Sequence, residues 1–426
     1  MIHYISTAGP GDAWVVNELE IVDRAGIPFQ LHALRSPRST YFVSAWGQKL
    51  ASLTSAIYPL RGADVVHILV APLRFHVRFG AALLNALFGE RENFRNRFVC
   101  LLHLFVACAW ATRLRNSGVK VSHIHSQWIH SAGSVGMYGA WLLNSPFSFT
   151  GHAADLYRER VALCDKIRRA KFIGCISTYH QQFFLDNGAT PDQLRLVYCG
   201  IDVTKFFPKE LALVSQGLKI RSSGRLVEKK GFEYLIDACQ ILKQRGIEFD
   251  CVIAGSGPLE QALRDRVEQL DLSKQISITG TALKQEHIPE FMHGGNVYCL
   301  PCVWARDNDV DGLPQMLMEA MACGLPSIST RLVGIPDLII DGITGLLVEP
   351  RNAAQLADAI LRFQDQHFAD TIAEAGRQHV LAKFEIEEAL QPLLNEYRQI
   401  RKFEDEVARC RLQVAGTKEV AGCRND

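Results

Sequence analysis

A chain of 426 residues with 48% hydrophobic and 21% charged side chains has an ordinary globular composition, and its length points to two domains rather than one. The formal net charge of +1 supplies no global field toward nucleic acid, so nucleic acid is not expected as a partner and any anion site must be local. Twelve cysteines, scattered and partly inside apolar runs, read as reduced thiols rather than a disulfide scaffold. The opening Met1–Ile5 reads as a strand without a basic leader, which adds to the expectation of a cytoplasmic protein.

In chain order, strands are predicted at His3–Ser6, Phe29–Ala33, Val65–Val70, Val121–His125, Phe147–Thr150, Phe172–Ile176 and Leu196–Cys199. Between the first two, Asp12 is placed to cap a helix over Ala13–Ala25 that buries Trp14, Val15, Leu19 and Val22 and stops at Gly26. An apolar run from Phe98 to Trp110, extending to Leu114, falls short of the about 20 residues a spanning helix needs, so a buried or amphipathic helix is expected. Arg74, Arg78, Arg91, Arg95 and Arg97 precede it among Phe and Leu residues, which raises an anionic membrane surface as a partner. A polar stretch over Lys205–Gly217 reads as a linker.

The alternation then restarts with strands at Leu218–Ser222, Cys251–Ala254, Ile276–Thr279, Val297–Pro301, Ser327–Thr330 and Leu346–Val348, and a helix over Phe232–Gln244. A helical pattern covers Ile386 to about Val407, and the last dozen residues look unanchored. Strands alternating with helices mean parallel sheets, so the fold class is α/β with two Rossmann-like, doubly wound halves facing each other across a cleft. The domains expected are 1–205, 206–385, and a terminal helix from 386 that returns to the first domain, followed by a loose tail.

Asp311–Pro326 is the densest motif. Pro314 suits a first helical turn, and Gly324 with Pro326 ends the helix. The loop Asp311–Leu313 then faces a helix N-terminus, where free N–H groups favour an anion such as diphosphate. Glu319 lies on the side of Gln315, and its carboxylate suits a ribose diol. Spacing alone favours a plainer reading, a capped helix with a solvated glutamate. Arg225 and Lys230, in a loop after one strand, would sit at the same strand end and can neutralise a departing diphosphate. Gly255, in a Gly-Ser-Gly-Pro turn, lets backbone approach a ligand, though without the third glycine of a dinucleotide fingerprint. In the first half, His152 ends a strand at the cleft edge, and His123 and His125 share one strand face from which either could line the cleft. Cys299 and Cys302 read as a buried strand end rather than a metal site.

Over roughly Leu218–Pro350 these motifs, with Val297–Pro301 and Gly334–Val348, resemble retaining glycosyltransferase family 4, of the GT-B fold, and more weakly so do Gly200–Asp202 and the Gly151, His152 loop. The pattern is similar to bacterial exopolysaccharide and lipopolysaccharide transferases, including colanic acid transferases. The resemblance implies transfer from a nucleotide diphosphate-sugar, UDP- or GDP-linked, to a glycan or lipid-linked acceptor, with no metal and no other cofactor. It implies that Glu319 holds the ribose and Asp311 lies against the donor sugar. Gly312, Leu313, Gln315 and Met316 would then meet sugar and phosphates, Arg225 and Lys230 would bind diphosphate, and His152 would be the cleft histidine. The family has Glu where this chain has Asp311, and its glycine-rich first loop is only partly matched by Gly9–Gly11. Three other readings stand beside it: a metal site at Asp307 and Asp309, a nucleotide-sugar epimerase or hydrolase on a similar fold, and a non-catalytic subunit of a polysaccharide assembly complex.

Overall fold

The computed structural model describes residues 1–36, 44–157, 160–208, 217–403 and 406. Its strands form two sheets. The first contains β1 (Ile2–Ser6), β2 (Phe29–Ala33), β3 (Ser55–Ala56), β4 (His123–Gln127), β5 (Phe147–Gly151), β6 (Ala170–Cys175) and β7 (Leu194–Leu196), in the order 3-2-1-4-5-6-7. The second contains β8 (Leu218–Ser223), β9 (Phe249–Ala254), β10 (Ile276–Ile278), β11 (Val297–Leu300), β12 (Ser327–Thr330) and β13 (Leu346–Val348), in the order 10-9-8-11-12-13. Pairing is parallel, for instance Ile2 opposite Phe29 and His123, and Val297 opposite Ile220. Each order reverses beside its first strand, and such a switch point opens a crevice at the strands' carboxyl ends. Helices cover both faces, so β1, β4, β5 and β11 are buried along their whole lengths.

One expected strand is a helix. Val65–Val70 lies inside Gly62–Phe88, two helical pieces that meet at a kink at His76; in the first, exposed residues recur at helical spacing, and the β-branched Val65, Val66 and Val70 imitate a strand only over a short window. The following helix, Arg95–Asn116, contains the apolar run and is largely buried against Ser131–Leu143. Gly139 allows that approach, since a Cβ there would lie 2.6 Å from the Trp110 ring. Two further expectations shift. Asp12 occupies the N-cap position of Ala13–Arg24 but makes no side-chain cap; its carboxylate accepts from Trp128 Nε1 at 2.8 Å. Trp14 is half-buried rather than core and lines the cleft.

The chain leaves the first sheet after β7 and enters the second at β8; most of the expected linker, 209–216, lies outside the described residues. It returns where Ile201 N donates to Phe384 O and Ile386 N donates to Ile201 O. The helical segment 391–403 then packs Leu393, Leu394, Tyr397 and Ile400 against Tyr4, Leu19, Val22 and Phe172 of the first half. Arg195, paired with Glu396 at 2.6 Å, pins it. The expected loose tail, from 407 on, also lies outside the described residues.

Candidate active site

The carboxyl ends of the two sheets face each other across a cleft of about 1060 Å³, counting its open mouth. Trp14, Trp128, His152 and Ile176 line it from the first half; Arg225, Lys229, Lys230 and Asp311–Met316 line it from the second. A second recess of about 620 Å³ shares Gly224, Arg225 and Met316 with the cleft and is closed by Gly255, Ser256 and Leu283. A Cβ on Gly255 would fall 1.9 Å from Gly224 O, so only glycine lets these two turns touch.

The second-half wall is built around one carboxylate. Lys230 Nζ lies 2.5 Å from Asp311 Oδ2, Lys229 Nζ lies 3.1 Å from Oδ1, and Cys302 Sγ donates to Oδ2 at 3.7 Å. Burial would raise the Asp311 carboxyl, but Lys230 and Lys229 outweigh it and hold the group down at about 2. Lys229 also reaches Asp309 at 3.1 Å. Asp311 is therefore engaged from within the protein as well as bordering the cleft. Arg225 is exposed, and of the charged side chains that line the cleft here Arg225, Lys229 and Lys230 face the one carboxylate of Asp311, leaving the lining net positive.

Pro314 takes extended backbone geometry as the N-cap, so the helix Gln315–Ala322 starts one residue later than its motif predicts. Its first N–H groups open toward the cleft through Gln315 and Met316. Glu319 is not a solvated residue of an ordinary helix: it is buried, and its Oε2 has no hydrogen-bond partner among the described residues. Burial raises its carboxyl to about 7, a rise that the Lys230 charge partly opposes.

Opposite stands His152. Its Nε2 lies 3.3 Å from Gln127 Oε1, and Gln127 Nε2 donates to both Glu18 oxygens at 2.7 Å. The amide is thus oriented by Glu18, which makes His152 Nε2 the donor and leaves Nδ1 as an acceptor. Burial lowers the imidazole to about 4, so it is neutral in the ordinary pH range. Trp128 and Trp14 hold the ring at centroid distances of 4.9 and 5.3 Å.

His123 and His125 do not line the cleft. Both are fully buried, share Ser148 Oγ at 2.6 and 2.7 Å, and face Tyr397. They do share a strand face, but the cleft lies at the strand ends. The motif from Gly334 clasps the two halves where Asp337 accepts from Thr178 N and Oγ1 at 2.6 and 2.5 Å, while within the second half Gly334 N donates to Gly312 O at 3.0 Å. Asp309 is bound to Lys229, and its own N–H donates to Asp307 Oδ1 at 3.1 Å. Sequence reading missed Trp14 and Trp128 as cleft walls, Gln127 and Glu18 behind His152, and the role of Lys229. Only Lys229, adjacent to Lys230 in the same loop, carried a local signal.

Two sheets with this order, opposed at their carboxyl ends, define the GT-B architecture. Residues 203–379 match the family model described as glycosyl transferases group 1. The chain resembles, at 34% identity over 199 residues, the colanic acid biosynthesis glycosyltransferase WcaL of Salmonella typhimurium (46% of this chain, 49% of that one). It also resembles, at 34% over 227 residues, the amylovoran biosynthesis glycosyltransferase AmsK of Erwinia amylovora (52% and 55%). The chain thus spans about half the length of the curated relatives it matches. In fold it is similar to a glycosyltransferase from Rickettsia africae (TM-score 0.67, 16% identity, 94% and 98% covered) and to Anabaena HepE in complex with UDP (0.68, 14%, 93% and 99%).

Proposed function

We propose that this protein is a retaining glycosyltransferase that moves a sugar from a UDP- or GDP-sugar to a hydroxyl of a glycan or lipid-linked acceptor in surface polysaccharide biosynthesis. The observation that carries the reading is the net-positive wall of Arg225, Lys229 and Lys230 beside the open N-terminus of Gln315–Ala322. A diphosphate meets fixed positive charge there, the task a divalent metal performs elsewhere, and this supports metal-independent transfer. Glu319 supports the nucleotide reading: a buried carboxylate oxygen without a partner needs a donor, and a ribose diol offers two.

In this mechanism the bond between the anomeric carbon and the diphosphate oxygen breaks. The acceptor oxygen bonds to the same face of that carbon, and its proton passes to the leaving phosphate. Asp311, clamped by two lysines, positions Lys230 and the sugar rather than attacking. His152, neutral and with Nδ1 as acceptor, orients a donor or acceptor hydroxyl. Catalysis then rests on positioning and charge stabilisation. The test is a panel of UDP- and GDP-sugars, with and without glycan and lipid-linked acceptors, with the product anomer assigned by NMR. Transfer with retention is expected. Sugar release or isomerisation in the absence of any acceptor would replace transfer with the epimerase or hydrolase reading, and no donor binding at all would leave a non-catalytic subunit.

A further inference from the structure

Gly62–Phe88 is two helical pieces that meet at a kink at His76, where φ is 45°, and both leave apolar residues uncovered. Val66, Leu69 and Leu73 recur at steps of three and four before the kink, Val77, Leu84 and Phe88 at steps of seven and four after it, and all are exposed, Leu73 at 74% and Val77 at 84%. Phe94 and Phe98, at 73% and 63%, extend the stripe onto the start of Arg95–Asn116. Single exposed apolar residues are normal on a soluble surface, whereas a contiguous row marks an interaction face.

Charge selects the occupant. Between Gly62 and Gly89 the one acidic residue is Asp64, which is buried and paired with Arg113 at 2.5 Å. Glu90 pairs with Arg168, and Glu92 accepts from the N–H groups of Ala162 and Leu163 at 2.9 and 2.8 Å. Arg78 and Arg95, by contrast, are exposed beside the stripe. Arg91, counted among the surface arginines in sequence, is buried against Asp165 at 2.6 Å and does not contribute. A row of leucine, valine and phenylalanine edged by arginine, without free acid, complements anionic headgroups over hydrocarbon. A second copy of the chain across a two-fold axis would set like charges against each other.

The geometry also decides between lying on a bilayer and crossing it. Both helices are long and apolar enough to cross. However, Arg95–Asn116 buries Cys100, Leu104, Ala107, Cys108 and Trp110 in the core of the first domain. Gly62–Phe88 packs Ala71, Phe75, Ala82 and Ala86 into that same core. Crossing would open the core, whereas docking only covers what is exposed. We propose that this face binds in the plane of an anionic lipid bilayer, a proposal independent of the sugar chemistry.

The test is flotation of the full chain with vesicles of phosphatidylcholine containing about one-third phosphatidylglycerol, and with phosphatidylcholine alone, at low and high salt. Binding to the anionic vesicles at low salt is expected, with release as salt screens the arginines. Arg78→Glu with Arg95→Glu should lower the partition coefficient by roughly 25-fold or more, since each arginine near the surface is worth about fivefold. Leu73→Glu with Val77→Glu should lower it at least about tenfold at either salt. All four positions are exposed, so the native circular dichroism spectrum is expected to persist. Failure to float at low salt, or flotation unaffected by both pairs, overturns the proposal. So does a dimer that dissociates in Leu73→Glu with Val77→Glu while no vesicle is bound, which would assign the face to a second copy.

Discussion

Replacing Asp311 by asparagine removes the charge that holds Lys230 while keeping the shape of the loop. In the free protein the Lys230 ammonium is engaged by Asp311 at 2.5 Å, so on the proposed function an incoming diphosphate has to compete with a carboxylate for it. Lys230 and Lys229 hold the carboxyl down against its burial, so it is charged in the free protein. The competition is that of one charge-assisted hydrogen bond, about 1.5–3 kcal/mol. Asp311→Asn should therefore tighten binding of free UDP or GDP by about 2 kcal/mol, or roughly 30-fold, while lowering turnover about tenfold or more through loss of a charge-assisted contact. The free variant should melt lower, because Lys229 and Lys230 lose their partner, and nucleotide should shift its melting temperature more than that of the natural chain. Asp311→Glu retains the charge and should bind nucleotide like the natural chain. Isothermal titration with each nucleotide checks both variants. Unchanged or weaker nucleotide binding in a folded Asp311→Asn protein would refute the idea that Asp311 restrains the diphosphate-binding lysine.

Lys230→Ala should reduce turnover by about two orders of magnitude or more in a folded protein, measured under saturating donor. Burial raises Glu319 to about 7, and the proposed function has the ribose held by its ionised form. Binding of the intact nucleotide-sugar should thus be full above that pH and weaken by up to about tenfold per unit below it; titrations across this range should show the slope, and Glu319→Gln should abolish it. Turnover should survive a chelator; loss of activity restored by Mg²⁺ or Mn²⁺ would return Asp307 and Asp309 to consideration. Leu393→Ala, in the fully buried seam between the terminal helix and the first domain, should cost about 2–5 kcal/mol by denaturant unfolding.

Much of the second half was legible because its chemistry is local in sequence. Pro314, Gly324 and Pro326 punctuate one helix, and the turn residues after β8 and β9 identify themselves as strand ends. The first half was harder to read. His152 was found because it directly follows a strand, but Gln127 and Glu18, which orient it, are 25 and 109 residues apart from their respective partners. No spacing rule spans such distances. His123 and His125 misled for a related reason: alternation gives the face of a strand but not what covers it, and what covers it here is Tyr397, nearly three hundred residues on. Val65–Val70 failed because β-branched composition over six residues outweighed a helical period that becomes visible only over the longer piece from Gly62 to the kink at His76. β3, at two residues, is too short to show any period.

The seam between the first β-α unit and residues 386–400 carries a consequence for biogenesis. Tyr4, Leu19 and Val22 leave the ribosome close to four hundred residues ahead of Leu393, Leu394 and Tyr397, which cover them. The second domain waits for less, since its core reaches only to Phe384. Translation therefore delivers everything the carboxyl half needs before the amino half can be sealed, reversing the vectorial order usual for two-domain chains. Until then the nascent amino half presents an unsealed apolar sheet face, a binding surface for chaperones that disappears only when the terminal helix docks.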